Sequence, residues 1–175
     1  KLSLWLETLS SDKPLSFLSA HIKTGNSLIG ESVNSIFDAQ KSLFETKAIS
    51  HFKKTVNDFL GFESLEDDTA SAVKAKVEKY KKMQEKGTYY HQIRGILDHK
   101  TAEFFGNQTI PWRDLRQKIG VESLDFYSSA SGSSVFEIRE KSNFFHWELE
   151  FPEIFFNENG QIKENSGFDA VIGNP

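Results

Sequence analysis

With 175 residues, 38% of them hydrophobic and 26% charged, the chain suits one medium-sized globular domain with room for a real core. It contains no Cys, which excludes disulfide frameworks, thiolate metal sites and thiol catalysis and fits a reducing, cytoplasmic setting. A net charge of -4 argues against a strongly basic nucleic-acid binder, and no apolar run approaches the ~18 residues that span a bilayer, so no membrane partner is expected.

Taken in order, Leu2, Leu4, Trp5, Leu6 and Leu9 predict a short helix that stops at Ser10–Pro14. Phe17, Leu18, Ala20 and Ile22 suit a short strand over 15–23, with Gly25–Gly30 as the loop at its carboxyl end. From Ser32 to Leu60 the spacing is helical, with Ile49, Phe52, Val56, Phe59 and Leu60 on one face, Gly61 as terminator and a break near Phe44–Lys47. Ser64 and the acidic residues behind it read as a capping box for a helix to Lys86, with Val73, Val77 and Tyr80 inward. Thr88 caps a second helix carrying Tyr90, Ile93, Leu97 and Phe104, and the two look like an antiparallel hairpin.

A shorter helix follows from Thr109 to Gly120, and 121–127 can add another. Ser128–Ser134 is low in complexity and reads as a flexible loop. Phe144–Phe156 is rich in aromatic residues and suits a strand or short helix broken at Pro152. After a polar turn over 157–167, Phe168, Ala170, Val171 and Ile172 read as a buried parallel strand that ends in Gly173-Asn174-Pro175. The missing initiating Met and the closing turn mark the chain, as read here, as an excised piece of a longer protein.

Most candidate sites are weak. Gly25 and Gly30 have the spacing of a phosphate loop, but Glu31-Ser32 stands where Lys-Ser/Thr is needed, and a carboxylate there would repel phosphate. The five His residues lack metal-binding spacing, so no metal site is expected, and helix packing explains Tyr89-Tyr90-His91 and Asp98-His99 better than acid–base chemistry does. Lys74, Lys76, Lys79, Lys81, Lys82 and Lys86 form a basic stretch. It could meet phosphate, although a solvated helix surface is the plainer reading. Gly25-Asn26-Ser27 and Gly173-Asn174-Pro175 differ from these: each follows a predicted strand and offers an amide side chain at the edge where ligands of open α/β sheets gather.

Three stretches, LSLWLETLSSDKPLSFLSAHIKTGNSLIG (2–30), FHWELEFPEIFF (145–156) and GFDAVIGNP (167–175), together resemble the catalytic domain of adenine-N6 DNA methyltransferases. The closest likeness is to the fused restriction–modification (type IIG) group and related phage-defence methylases. The resemblance implies an α/β parent with a Rossmann-like sheet that binds S-adenosylmethionine. These 175 residues themselves would be predominantly α-helical with two short terminal strands.

It divides the chain into a core helix, strand and cofactor-adenine loop (1–31), a helical insertion (32–143), and an aromatic segment and core strand leading into the catalytic motif (144–175). It also implies that Asn174 and Pro175 accept hydrogen bonds from the exocyclic amine of an adenine flipped out of double-stranded DNA. Asn26 and Ser27 would meet the cofactor's adenine, with Asn26 standing where the family usually has Asp. Further partners would be the remaining core and a specificity domain of the same parent, with fusion to a nuclease domain left open.

In that family the strands ending near Asn26 and Asn174 are not neighbours. Alone, the chain is therefore expected to be inactive, with its terminal strands frayed, re-paired or borrowed from another copy. A helical module that binds DNA or a partner without catalysis is the alternative.

Overall fold

The computed structural model describes residues 21–37, 43–66, 68–107, 110, 114–115 and 125–173. The opening helix over 2–9, all but the end of the strand at 15–23, most of the helix at 109–120, residues 121–124, and both Asn174 and Pro175 lie outside them. The described residues are mainly helical: α1 (Asn34–Phe37), α2 (Leu43–Glu63), α3 (Ala70–Met83), α4 (Tyr89–Glu103), α5 (Ala130–Ser142), α6 (Trp147–Glu150) and α7 (Pro152–Phe155).

The core follows from the period of two long helices. On α2, Phe52, Val56 and Phe59 recur at four- and three-residue steps and are buried with Phe62. Helix α4 is central, packing on α2, α5 and α6. It buries not only Tyr90, Ile93, Ile96 and Leu97 but also Gln92, Asp98, His99 and Thr101. Val33, Ile36, Leu149 and Phe156 join the same core from α1, α6 and the end of α7.

Several boundaries differ from the sequence expectation for identifiable reasons. Helix α2 runs two residues past Gly61, to Glu63, because this buries Phe62 completely. That burial outweighs the ~1 kcal/mol cost of a helical Gly. Ser64 therefore closes α2, donating its hydroxyl to the Gly61 carbonyl (3.0 Å), and the cap of α3 passes to Thr69, which accepts from the Ala72 amide (3.1 Å). The inner face of α3 is Lys76, Tyr80 and Met83, one position away from Val73 and Val77. Lys76 is buried because its ammonium donates to the Leu65 carbonyl (3.1 Å) and lies 5.2 Å from the centre of the Phe62 ring.

Helix α3 leans on α2, and α4 packs on α2 and α5 rather than forming a mutually packed hairpin with α3. Ile49 and Phe104 are exposed. The Ser-rich stretch is no loop: Ser129 accepts from the Gly132 amide (3.1 Å) and starts α5, whose Val135 reaches the core.

Among the described residues there is no β-strand, only an isolated antiparallel bridge between Phe156 and Ile162 around a turn at Gly160. The expected terminal strand at 168–172 is irregular with a bend at Asp169 and pairs with no described segment, and Val171 and Ile172 are 83% and 98% exposed rather than buried. The end of the expected first strand, His21–Lys23, is likewise not in a ladder. A single strand cannot satisfy its own amides and carbonyls, so neither segment becomes a β-strand without a neighbour. No described helix is long and apolar enough to cross a membrane.

Candidate functional site

Two of the distant stretches singled out above meet in space. The loop over 24–32 lies against Asn143–Glu148 through main-chain hydrogen bonds from the Asn26 amide to the Asn143 carbonyl and from the Phe145 amide to the Ile29 carbonyl, both 2.7 Å. Gly25 and Gly30 make this approach possible. A Cβ on Gly25 would stand 2.3 Å from the Phe145 ring, and one on Gly30 would stand 2.0 Å from the Phe145 carbonyl oxygen. The glycine spacing that mimics a phosphate loop is thus explained by close packing on Phe145.

Side chains complete the dock. The Trp147 indole donates to the Ser27 carbonyl (3.0 Å), and the Glu31 amide donates to His146 Nδ1 (2.9 Å). Glu148 accepts from the Val33 amide (2.6 Å) and the Ser32 hydroxyl (2.9 Å), supplying a carboxylate at the start of α1.

Beneath the dock lies a buried polar network that the sequence reading did not find. Because His146 Nδ1 accepts from Glu31, its Nε2 carries the proton and donates to Asp98 Oδ1 at 2.8 Å. The other Asp98 oxygen accepts from the Tyr127 hydroxyl and faces Arg139 at 3.3 Å. Burial, then the neighbouring Asp98 carboxylate, push the Tyr127 hydroxyl well above its ordinary pKa, so it remains a donor.

A second cluster surrounds Glu150, which accepts from the Tyr90 hydroxyl (2.8 Å), is gripped by Arg94 and stands 3.3 Å from the Lys23 ammonium. Burial raises the Glu150 carboxyl, but Arg94, Lys23 and the Tyr90 hydroxyl together outweigh it and hold the group below the usual carboxylate range. Lys23 also donates to the Tyr80 hydroxyl and so ties the 21–32 loop to α3. Both nitrogens of His146 are engaged, and His99 Nε2 is paired with the Phe126 carbonyl at 3.0 Å. Asp98, His99 and His146 are closed off from solvent, whereas Lys23, Tyr80, Arg94, Arg139 and Glu150 line a polar hollow of about 250 Å³.

Above the network, a hollow of about 220 Å³ opens between Ser27, Leu28 and Glu31 on one side and Phe145, Trp147 and Glu148 on the other. Its aromatic wall continues into a cluster of Phe145, Trp147 and Phe151, with Phe145 and Trp147 edge to face at 4.8 Å. The third stretch reaches the same cluster. Phe168 packs edge-on against Trp147, Phe151 and Phe155 at 5.3–5.8 Å, and the chain then runs exposed to Gly173.

Asn26 and Ser27 therefore stand beside the aromatic cluster that holds Phe168, while Asn174 and Pro175 lie outside the described residues. The Asn26 side-chain oxygen accepts from the Leu28 amide (3.1 Å), and of the two candidate cofactor residues only Ser27 lines the hollow. The hollow falls below the ~300 Å³ of ordinary small-molecule sites. Among the described residues no three His, Asp or Glu side chains converge to hold a metal ion. Comparison of the chain with protein-family models, curated proteins and solved structures finds no match.

Proposed function

We propose that this chain is part of an adenine-N6 DNA methyltransferase of the restriction–modification or phage-defence type, within a Rossmann-like parent whose helical insertion spans 32–143. One observation carries the reading. Two of the three separated stretches that resemble that family interlock through Gly25, Gly30 and Phe145, and the third enters the same aromatic cluster at Phe168.

In this reading Asn26 and Ser27, with the wall at Trp147, hold the adenine of S-adenosylmethionine, which supplies the methyl group when bound. The remainder of that site comes from chain outside these residues. The Asn174 side-chain oxygen and the Pro175 carbonyl each accept one hydrogen of the target amine. This turns the nitrogen lone pair toward the methyl donor, so that transfer needs orientation and no covalent enzyme intermediate. Transfer would break the methyl–sulfur bond of the donor, leaving a neutral thioether, and release one amine proton to solvent. The 175 residues alone are inactive because they hold only part of the cofactor site.

The test measures N6-methyladenine in DNA from cells that express the coding frame including this segment. The expected result is a methylated product that falls by about 100-fold or more in Asn174→Ala, the scale of losing one preorganised hydrogen-bonding group. Undiminished methylation in that variant would remove Asn174 from catalysis. Turnover by the 175-residue chain alone would contradict the claim that the site is completed elsewhere.

A further inference from the structure

The basic stretch reads differently once folded. Lys76 is buried and Lys74 and Lys81 are exposed, but Lys79 and Lys82, one turn apart on α3, face a cleft of about 600 Å³ between α2, α3 and the start of α4. Lys86 lines the same cleft, so three ammonium groups share it with one lining carboxylate, Asp58, in a chain whose net charge is -4. Lys86 already pairs with Asp125 at 2.7 Å, whereas Lys79 and Lys82 form no ion pair with a described residue. Burial raises the Asp58 carboxyl more than Lys79 and Lys54 lower it. The facing wall carries His51 and Tyr89, whose rings meet at 4.4 Å, with Lys54 bonded to the Tyr89 hydroxyl at 3.1 Å.

We propose that this cleft binds a nucleotide unit, with its phosphate held by Lys79 and Lys82 and its ring against Tyr89. Two compact ammonium groups a helical turn apart suit a tetrahedral anion with several acceptor oxygens. The cleft is too large for phosphate alone, and its wall carries the Tyr89 ring, with the Lys54 ammonium 4.7 Å from the ring centre. It shares no lining residue with the hollow beside Ser27, so the inference stands independently of the methyl-transfer reading. The same chemistry is carried by a free nucleotide and by one nucleotide of a single strand.

Binding of adenosine 5′-monophosphate, inorganic phosphate and a labelled single-stranded oligonucleotide to the chain separates these cases. Lys79→Gln/Lys82→Gln is expected to weaken adenosine monophosphate or oligonucleotide at least roughly tenfold, the scale of losing hydrogen bonds to a charged group. Lys74→Gln/Lys81→Gln should leave binding unchanged, and Asp58→Asn should strengthen it. If the strand is the ligand, the double variant also lowers its salt dependence by about 0.7 in logarithmic slope per phosphate lost. If only the monophosphate responds, the ligand is a free nucleotide. The proposal is overturned if neither nucleotide probe binds, if the two double variants behave alike, or if inorganic phosphate binds as tightly as the nucleotide. Unchanged thermal unfolding of Lys79→Gln/Lys82→Gln separates loss of binding from loss of fold.

Discussion

At Glu150 a buried carboxylate meets Arg94, Tyr90 and Lys23, groups that come from α4 and from the 21–32 loop. Removing its charge strands two cations, so Glu150→Gln is expected to destabilise the fold at pH 7 by about 3–5 kcal/mol, read from urea unfolding. The sign of the pH effect follows from the direction of the shift. A carboxyl held low in the folded state, against about 4.3 when unfolded, contributes stability that is fully present above that value. The contribution is lost as the pH falls toward the folded pKa. The native chain should therefore lose stability below about pH 4.3 more steeply than Glu150→Gln does. Parallel curves would mean that the ion cluster contributes nothing. His146 stands beside this chemistry without sharing it, since Glu31 and Asp98 fix its tautomer at both nitrogens.

At the scale of elements, the junction between the 24–32 loop and Asn143–Glu148 depends on the absence of side chains. Gly30→Ala would force a methyl group into the Phe145 carbonyl, an overpacking expected to cost about 1–3 kcal/mol. It should also loosen Trp147 from Ser27, visible as a red shift of its fluorescence together with a lower unfolding temperature. An unchanged spectrum and stability would show that the loop does not dock as described. Helix caps were partly legible here. Thr88 caps α4 as expected, because a Thr ahead of an apolar period is a local signal. The cap of α3 and the start of α5 were not legible, because Ser64 and Ser129 are each surrounded by other cap-capable residues. Burial of Phe62 and Val135 decides which of them acts.

For the whole molecule, the helices form a shared core while the segment from Ala170 to Gly173 has no partner among the described residues. Hydrogen exchange of the isolated chain is expected to find Val171 and Ile172 unprotected, while Phe59 on α2 and Ile96 on α4 exchange only through global opening. Strong protection at Val171 and Ile172 in a monomer would mean that the chain supplies its own strand partner. Under the methyltransferase reading, those amides become protected once the rest of the parent domain is present.

What the sequence determined by itself was the local periodicity: the apolar faces of α2 and α4, the break at Pro152 and a polar turn within 157–167. It also marked Gly25, Asn26 and Gly30 as unusual. For the two glycines the reason, contact with Phe145 more than a hundred residues away, belongs to tertiary structure alone. The same holds for Asp98, Arg94, Arg139 and Glu150, which look in sequence like ordinary surface charges. Only packing shows them paired in the interior, because a buried charge is stable only beside partners that the fold brings from elsewhere in the chain.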